Sequence, residues 1–244
     1  MLRRSFRQLA VLAPVAALVA VTLATPASAV IGGSVSSYGP WAVRMLVDGK
    51  PECTGTAISR EWIISADHCF NEAAEPIADS RIEFRVGNLD QRLGTVVRPV
   101  PGSRNNHALA DLMLIKVTPM NITPAKLPTG GPVRPGETVR GFGWGATCTG
   151  DENSCQSDVL KQVDAKVIDP DDQRCEGMTI SGGTDFCALS TTGVTAGGDS
   201  GGPVMSTADR DTIVGVTSKS DRSSVAADGD VFGQLEWIKK TMKG

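Results

Sequence analysis

Short apolar runs recur along the chain, punctuated by glycine, proline, asparagine and aspartate. Runs of that length between turn residues predict strands rather than helices. Val43–Val47, the dipeptide Asp48-Gly49 and the returning run Cys53–Ile58 predict a hairpin, because Asp-Gly supplies the positive φ that a tight hairpin turn demands. Glu61–Ala66 is a further apolar strand and leads directly into Asp67-His68-Cys69. Arg81–Val86 alternates as a half-buried strand should, and Gly94–Val100 is another candidate. Leu112–Val117 reads as short and buried, with Asp111 at its mouth. From Pro119 to Pro135 proline and glycine recur without periodicity, which predicts a linker. A second set of strands follows at Thr138–Phe142, Leu160–Val167, Thr184–Ala188, Pro203–Ser206 and Thr212–Ser218. Gln234–Lys243 has helical periodicity, with Leu235, Trp237 and Ile238 on one face and lysines late. The pattern predicts an all-β protein of two antiparallel β domains with one C-terminal α-helix. The first spans about residues 30–120, the linker about 119–135, and the second domain with its helix about 136–244.

The N-terminus breaks this pattern. Arg3, Arg4 and Arg7 precede the apolar run Leu9–Ala24, and Ala27-Ser28-Ala29 follows as a small-residue cleavage signature. The run is shorter than a membrane span of ~20 residues, so residues 1–29 read as a signal peptide and the mature protein as secreted, without a membrane anchor. Residues 30–244 carry 21 basic and 27 acidic side chains, a net charge of −6. A mildly acidic chain gives no reason to expect a nucleic-acid partner. Six cysteines in an exported chain point to disulfides, although six allow ~15 pairings. Short separations favour Cys53–Cys69, Cys148–Cys155 and Cys175–Cys187, each stabilising by ~2–4 kcal/mol. Zinc is disfavoured by the absence of Cys-x2-Cys pairs and by the presence of only two histidines. The Arg85–Arg92 stretch has Asp90 as its sole carboxylate, too few oxygens for calcium, so no metal and no cofactor are expected.

The candidate chemistry centres on Gly197-Gly-Asp-Ser-Gly-Gly-Pro203. Small neighbours leave the Ser200 hydroxyl open, and glycines let backbone N–H groups converge on one point. The N–H groups of Gly198 and Ser200 then form a candidate oxyanion hole, a contribution of ~3–4 kcal/mol. A serine hydroxyl needs an adjacent base. His107 lies in the polar stretch Arg104-Asn-Asn-His107 and reads as an incidental surface residue. His68 ends an apolar strand beside a bridged cysteine, and Asp111 is the candidate to orient its imidazole. Gly198-Asp-Ser-Gly-Gly202 also fits a nucleophile elbow, but such enzymes place the histidine after the serine, and none follows Ser200.

Cys53-Thr-Gly-Thr-Ala-Ile-Ser, Ser65-Ala-Asp-His-Cys69, Ala110-Asp-Leu-Met-Leu-Ile115, Gly143-Trp-Gly145, the Ser200 heptapeptide and the late Trp-Ile together resemble the chymotrypsin/trypsin family of serine endopeptidases. The chain looks like a secreted, bacterial member. The resemblance implies a chymotrypsin-like fold of two antiparallel six-stranded β-barrels with the site between them. It implies a triad of His68, Asp111 and Ser200, a polypeptide substrate, protein protease inhibitors as further partners, and a monomer. It also implies that a free Val30 α-ammonium pairs with Asp199 and orders the oxyanion hole. Cleavage after Ala29 would create that terminus, so no propeptide is expected. Val194, Thr195, Gly197, Ser218, Lys219 and Ser220 fall on the family's substrate-binding positions.

The departures bear on specificity. Ala196 stands where the family often has a bridged cysteine. Val194 replaces the aspartate that in trypsins binds basic side chains, although Asp228 or Asp230 could supply a carboxylate from the back wall. Lys219 stands where a tryptophan is usual, and Asp67 where alanine is common. A catalytically silent relative that binds a partner through its cleft is the alternative function.

Overall fold

In the computed structural model, which describes residues 30–179 and 185–244, the Asp48-Gly49 dipeptide turns the chain with φ of 50° and 74°. The expected signal peptide and Thr184 lie outside the described residues. The turn joins β2 (Ala42–Val47) to β3 (Lys50–Ala57), paired antiparallel from Ala42↔Thr56 to Val47↔Lys50. Before them lies β1 (Ser34–Val35). After them come β4 (Trp62–Ser65), the small hairpin β5 (Asn71–Glu72) and β6 (Glu75–Pro76), then β7 (Ile82–Val86), β8 (Thr95–Val97), β9 (Asn105–Asn106) and β10 (Met113–Lys116). Past the linker run β11 (Thr138–Gly143), β12 (Lys161–Val167), β13 (Phe186–Ser190), β14 (Pro203–Ser206), β15 (Ile213–Ser220) and β16 (Val225–Asp230), and the chain ends in α1 (Leu235–Lys243).

Two antiparallel sheets result. The first has the order β8-β7-β2-β3-β4-β10-β9, and a bridge between Pro99 and Val117 draws its ends together. The second runs β1-β12-β11-β14-β15-β16-β13 and closes through β12–β13 pairing. In each, six strands make the barrel and a two-residue strand, β9 or β1, lies at the edge. Period-two patterning explains β7 and β12, in which buried residues alternate with half-buried or exposed ones.

Pattern reading failed at β16, Val-Ala-Ala-Asp-Gly-Asp, which is buried throughout. Its two carboxylates hide an interior strand from any hydrophobicity count. It also passed over Arg44, which lies inside β2 with no exposed surface.

The second barrel has a cluster of its own around Val139, Phe186 and Val214, but the core of the first barrel runs on across the seam between the two. Trp41 meets Phe142 edge-to-face at 4.9 Å, and Met205, Ile213, Val216 and Ile238 pack into the same cluster. Such ring pairs contribute ~0.5–1.5 kcal/mol beyond burial. The core that crosses the seam fixes how loops of one barrel face loops of the other. Three disulfides form with the expected pairing.

Candidate active site

His68 occupies the 3-10 turn Asp67–Phe70 that follows β4, and Asp111 lies just before β10. Because β4 and β10 pair antiparallel, with Met113 opposite Ser65, the two residues emerge side by side. His68 Nδ1 is 2.7 Å from Asp111 Oδ2, and the His68 backbone N–H donates to Oδ1 at 2.9 Å. A carboxylate accepts, so Nδ1 carries the proton, and in the neutral imidazole Nε2 keeps the lone pair. The Asp111 side chain is 10% exposed and that of His68 47%. Burial alone would push the Asp111 carboxyl up. The His68 contacts, together with a hydroxyl donated by Ser218 at 2.5 Å, outweigh burial and hold it below its ordinary value. Asp67 is pushed up by burial and by the neighbouring Asp111 charge, with His68 opposing.

Ser200 arrives on the loop before β14. Its carbonyl accepts the Thr54 N–H at 2.9 Å, and the next N–H, of Gly201, donates to Thr217 at 2.7 Å. Gly201 has φ +78°, and a Cβ there would strike Ser65 Oγ and the Thr54 carbonyl and lie 2.9 Å from the Ala66 nitrogen. The Ser200 loop therefore presses on the backbone that leads into His68. Among the described residues no hydrogen bond joins Ser200 Oγ to His68; such bonds are often long without substrate and tighten when it binds.

Gly198 has φ +92°, a conformation open to glycine. Asp199 is fully buried. Its Oδ1 accepts the Gly145 N–H at 2.8 Å and its Oδ2 the Ala196 N–H at 2.9 Å. A Cβ on Gly143 or Gly145 would collide with that carboxylate, which explains the Gly-Trp-Gly motif physically. Burial pushes Asp199 up to about 6 despite these two donors and the Arg44 charge. Val30 is buried, and Ile31 forms an isolated bridge with Val194 on the segment leading to Ser200. In the unprocessed chain the Val30 nitrogen lies in a peptide bond.

The expected substrate positions divide. Val194 and Thr195 are buried, Gly197 and Ser220 half-buried, and Lys219 exposed. Ser218 is buried with its hydroxyl committed to Asp111. A recess of about 690 Å³ beside the dyad is walled in part by Asp67, Leu109, Ser218 and Lys219. His107 also lines it and meets Trp237 edge-to-face at 5.0 Å, so it is a half-buried wall of the recess rather than an incidental surface residue. Asp230 caps the turn before α1 by accepting the Phe232 N–H at 2.9 Å. Asp228, opposite Thr217 in the sheet, keeps Oδ1 without a hydrogen-bond partner among the described residues. Cys53, His68 and Cys69 group within metal-ligating range, but both sulfurs are tied in the disulfide.

Four residues around the loop were not foreseen: Arg44, Glu152, Gln156 and Arg222. A lone arginine inside an apolar strand was the available signal for the first; the others sit in polar loops that carry none.

Trypsin iota of Drosophila melanogaster is 28% identical over 212 residues, 78% of this chain and 77% of that protein. Serine protease SP24D of Anopheles gambiae is 29% identical over 229 residues, 88% of this chain and 81% of its own. The solved structure of a scabies mite inactivated protease paralogue, S-D1, superposes with a TM-score of 0.76 at 23% identity, over 88% of this chain and 97% of that one, which shows a shared chymotrypsin-like fold. These relatives are animal proteins and give the expectation of a bacterial member no support. The family model described as Trypsin matches residues 30–238, and the chain belongs to the trypsin family of serine proteases.

Proposed function

We propose that this protein is a secreted serine endopeptidase. Ser200 attacks the scissile carbonyl and His68 Nε2 takes the proton and returns it to the leaving amine. Asp111 fixes the imidazole, and the N–H groups of Gly198 and Ser200 hold the oxyanion. The observation that carries the reading is the 2.7 Å contact of His68 Nδ1 with a buried, hydrogen-bonded Asp111, together with a Ser200 loop bonded through its backbone to Thr54 and Thr217. An imidazole so held is an oriented base, which an incidental histidine has no reason to be.

Processing belongs to the same reading. Cleavage after Ala29 frees the Val30 amine, which then neutralises Asp199 as a monomeric enzyme leaves the cell. No helix of the described residues is long and apolar enough to cross a membrane. N-terminal sequencing of active protein is expected to begin at Val30; a start further upstream would overturn this step.

The second reading is a silent binder of polypeptides. The scabies mite neighbour is described as an inactivated protease, so the fold does not by itself guarantee catalysis. A fluorophosphonate probe separates the two. Processed protein is expected to label at Ser200 and to cleave a mixed peptide library, and Ser200→Ala to lose activity by several orders of magnitude. Processed protein that neither labels nor cleaves would be a binder.

A further inference from the structure

The loop that carries the candidate oxyanion hole lacks the cysteine that would have tied it down; Ala196 stands there. Its place is taken by a set of side chains from the other barrel and from the Cys148–Cys155 loop. Arg44, buried in β2, donates from Nη1 to the Gly198 carbonyl at 2.9 Å and from Nη2 to Gln156 Oε1 at 2.8 Å. Gln156 Nε2 donates to the Gly197 carbonyl at 2.8 Å, and the Ala146 N–H donates to the same oxygen at 2.8 Å. Thr54 Oγ1 is a second donor to Gly198 O at 2.8 Å. On the outer side Gly197 N–H donates to Glu152 Oε2 at 2.7 Å, and Glu152 pairs with Arg222 at 2.7 Å.

Peptide planarity turns these contacts into an orientation. The Gly198 N–H shares its peptide unit with the Gly197 carbonyl, and the two point in opposite directions in a trans amide. Holding the carbonyl fixes the direction of the N–H. The following unit is held by its own carbonyl, on Arg44 and Thr54. Two adjoining glycines have little steric preference of their own, so side-chain bonds must supply the direction. Arg44 is itself oriented by Gln91 Oε1, at 2.8 Å from Nε. Its planar fork reaches Gln91, Gln156 and Gly198 at once, which a lysine ammonium does not reproduce.

We infer that buried Arg44 and half-buried Gln156 form a clamp that aims the Gly198 N–H into the oxyanion hole and replaces the missing covalent tie. They are positioning residues, and the inference deepens the endopeptidase reading on which it rests.

Gln156→Glu is the sharpest test. It is isosteric and keeps an acceptor for Arg44, but it turns an oxygen toward Gly197 O in place of a donor. In the processed full chain we expect kcat on a peptide substrate to fall ~10–100-fold, with KM within about twofold and Tm little changed. A peptide boronate, whose adduct places an oxygen in the hole, is expected to weaken in parallel with kcat. Arg44→Lys is the second variant and should show the same split. Amide hydrogen exchange over residues 196–200 is expected to quicken at least ~10-fold in both, with β15 unaffected. Unchanged kcat and unchanged exchange in Gln156→Glu would overturn the clamp. If wild-type protein neither labels nor cleaves, the enzymatic reading fails, and exchange alone still decides whether the clamp orders the loop.

Discussion

Ser218 donates its hydroxyl to Oδ2 of Asp111, 2.5 Å away, the same oxygen that meets His68 Nδ1 at 2.7 Å. The cleft-side strand of the second barrel thus reaches across and loads the carboxylate of the first. The contact ties substrate-side geometry to the candidate base.

Removing that donor has a signed consequence. Burial opposes the charge on Asp111, and the Ser218 bond is among the contacts that keep the carboxyl low. In Ser218→Ala the carboxyl rises toward its ordinary value, so the variant loses part of the stability that the low-titrating carboxylate contributes. The stability that a low-titrating carboxylate contributes is present above its unfolded value and is lost as pH falls through the folded one. Acid unfolding of the variant should move to higher pH. An acid-unfolding curve superimposable on wild type would show the hydroxyl to be idle.

Gly145 should tolerate no side chain. A Cβ there would lie 2.5–2.6 Å from the carboxylate atoms of Asp199. Overpacking of this kind costs ~1–3 kcal/mol, so Gly145→Ala should lower Tm by several degrees. It should also weaken activity, because the displaced carboxylate anchors the loop that carries Ser200. Gly130→Ala, with open space around its Cβ, is the matched control and should be near neutral. Equal melting temperatures for the two variants would contradict the packing argument.

Asp228 gives a pH dependence of the opposite sign. Burial, with the Asp185 charge adding to it, pushes its carboxyl up to about 8 from 3.8. Between those values the folded chain keeps a proton that the unfolded chain has released, so stability falls as pH rises. Asp228→Asn removes this loss. Urea unfolding at pH 5 and pH 8 should show the variant gaining on wild type by at least ~1 kcal/mol at the higher pH, since one pKa unit is worth ~1.4 kcal/mol. A constant difference between the two pH values would mean that the carboxylate is paired in solution.

The Cys53–Cys69 bridge spans 16 residues and pins the residue next to His68. Closing a loop of that length contributes ~3 kcal/mol in the chain-entropy picture. The double variant Cys53→Ser/Cys69→Ser should therefore unfold at lower denaturant. At temperatures where it remains folded, kcat should fall more than KM rises, because the imidazole loses its anchored neighbour. A variant that is less stable yet retains full kcat would limit the bridge to stability.

Local order was legible in the residues themselves. Alternation placed β7 and β12, Asp48-Gly49 placed the first hairpin, and short separations singled out the cysteine pairs. His68, Asp111 and Ser200 stood out because each occurs in a local setting that chemistry requires: a strand end, a strand mouth and a glycine loop. Burial against a distant partner was not legible. Arg44 looks like a surface residue until the second barrel closes over it, and Asp228 hides a strand whose carboxylates face inward. Gln156 and Glu152 lie far along the chain from Arg44, and only the packing of one barrel on the other brings them to the same two glycines. Sequence determined which residues could act and which segments would extend. Tertiary structure alone decided which carbonyls, carboxylates and guanidinium share a site, because those contacts depend on how two closed sheets meet and not on any pattern within either.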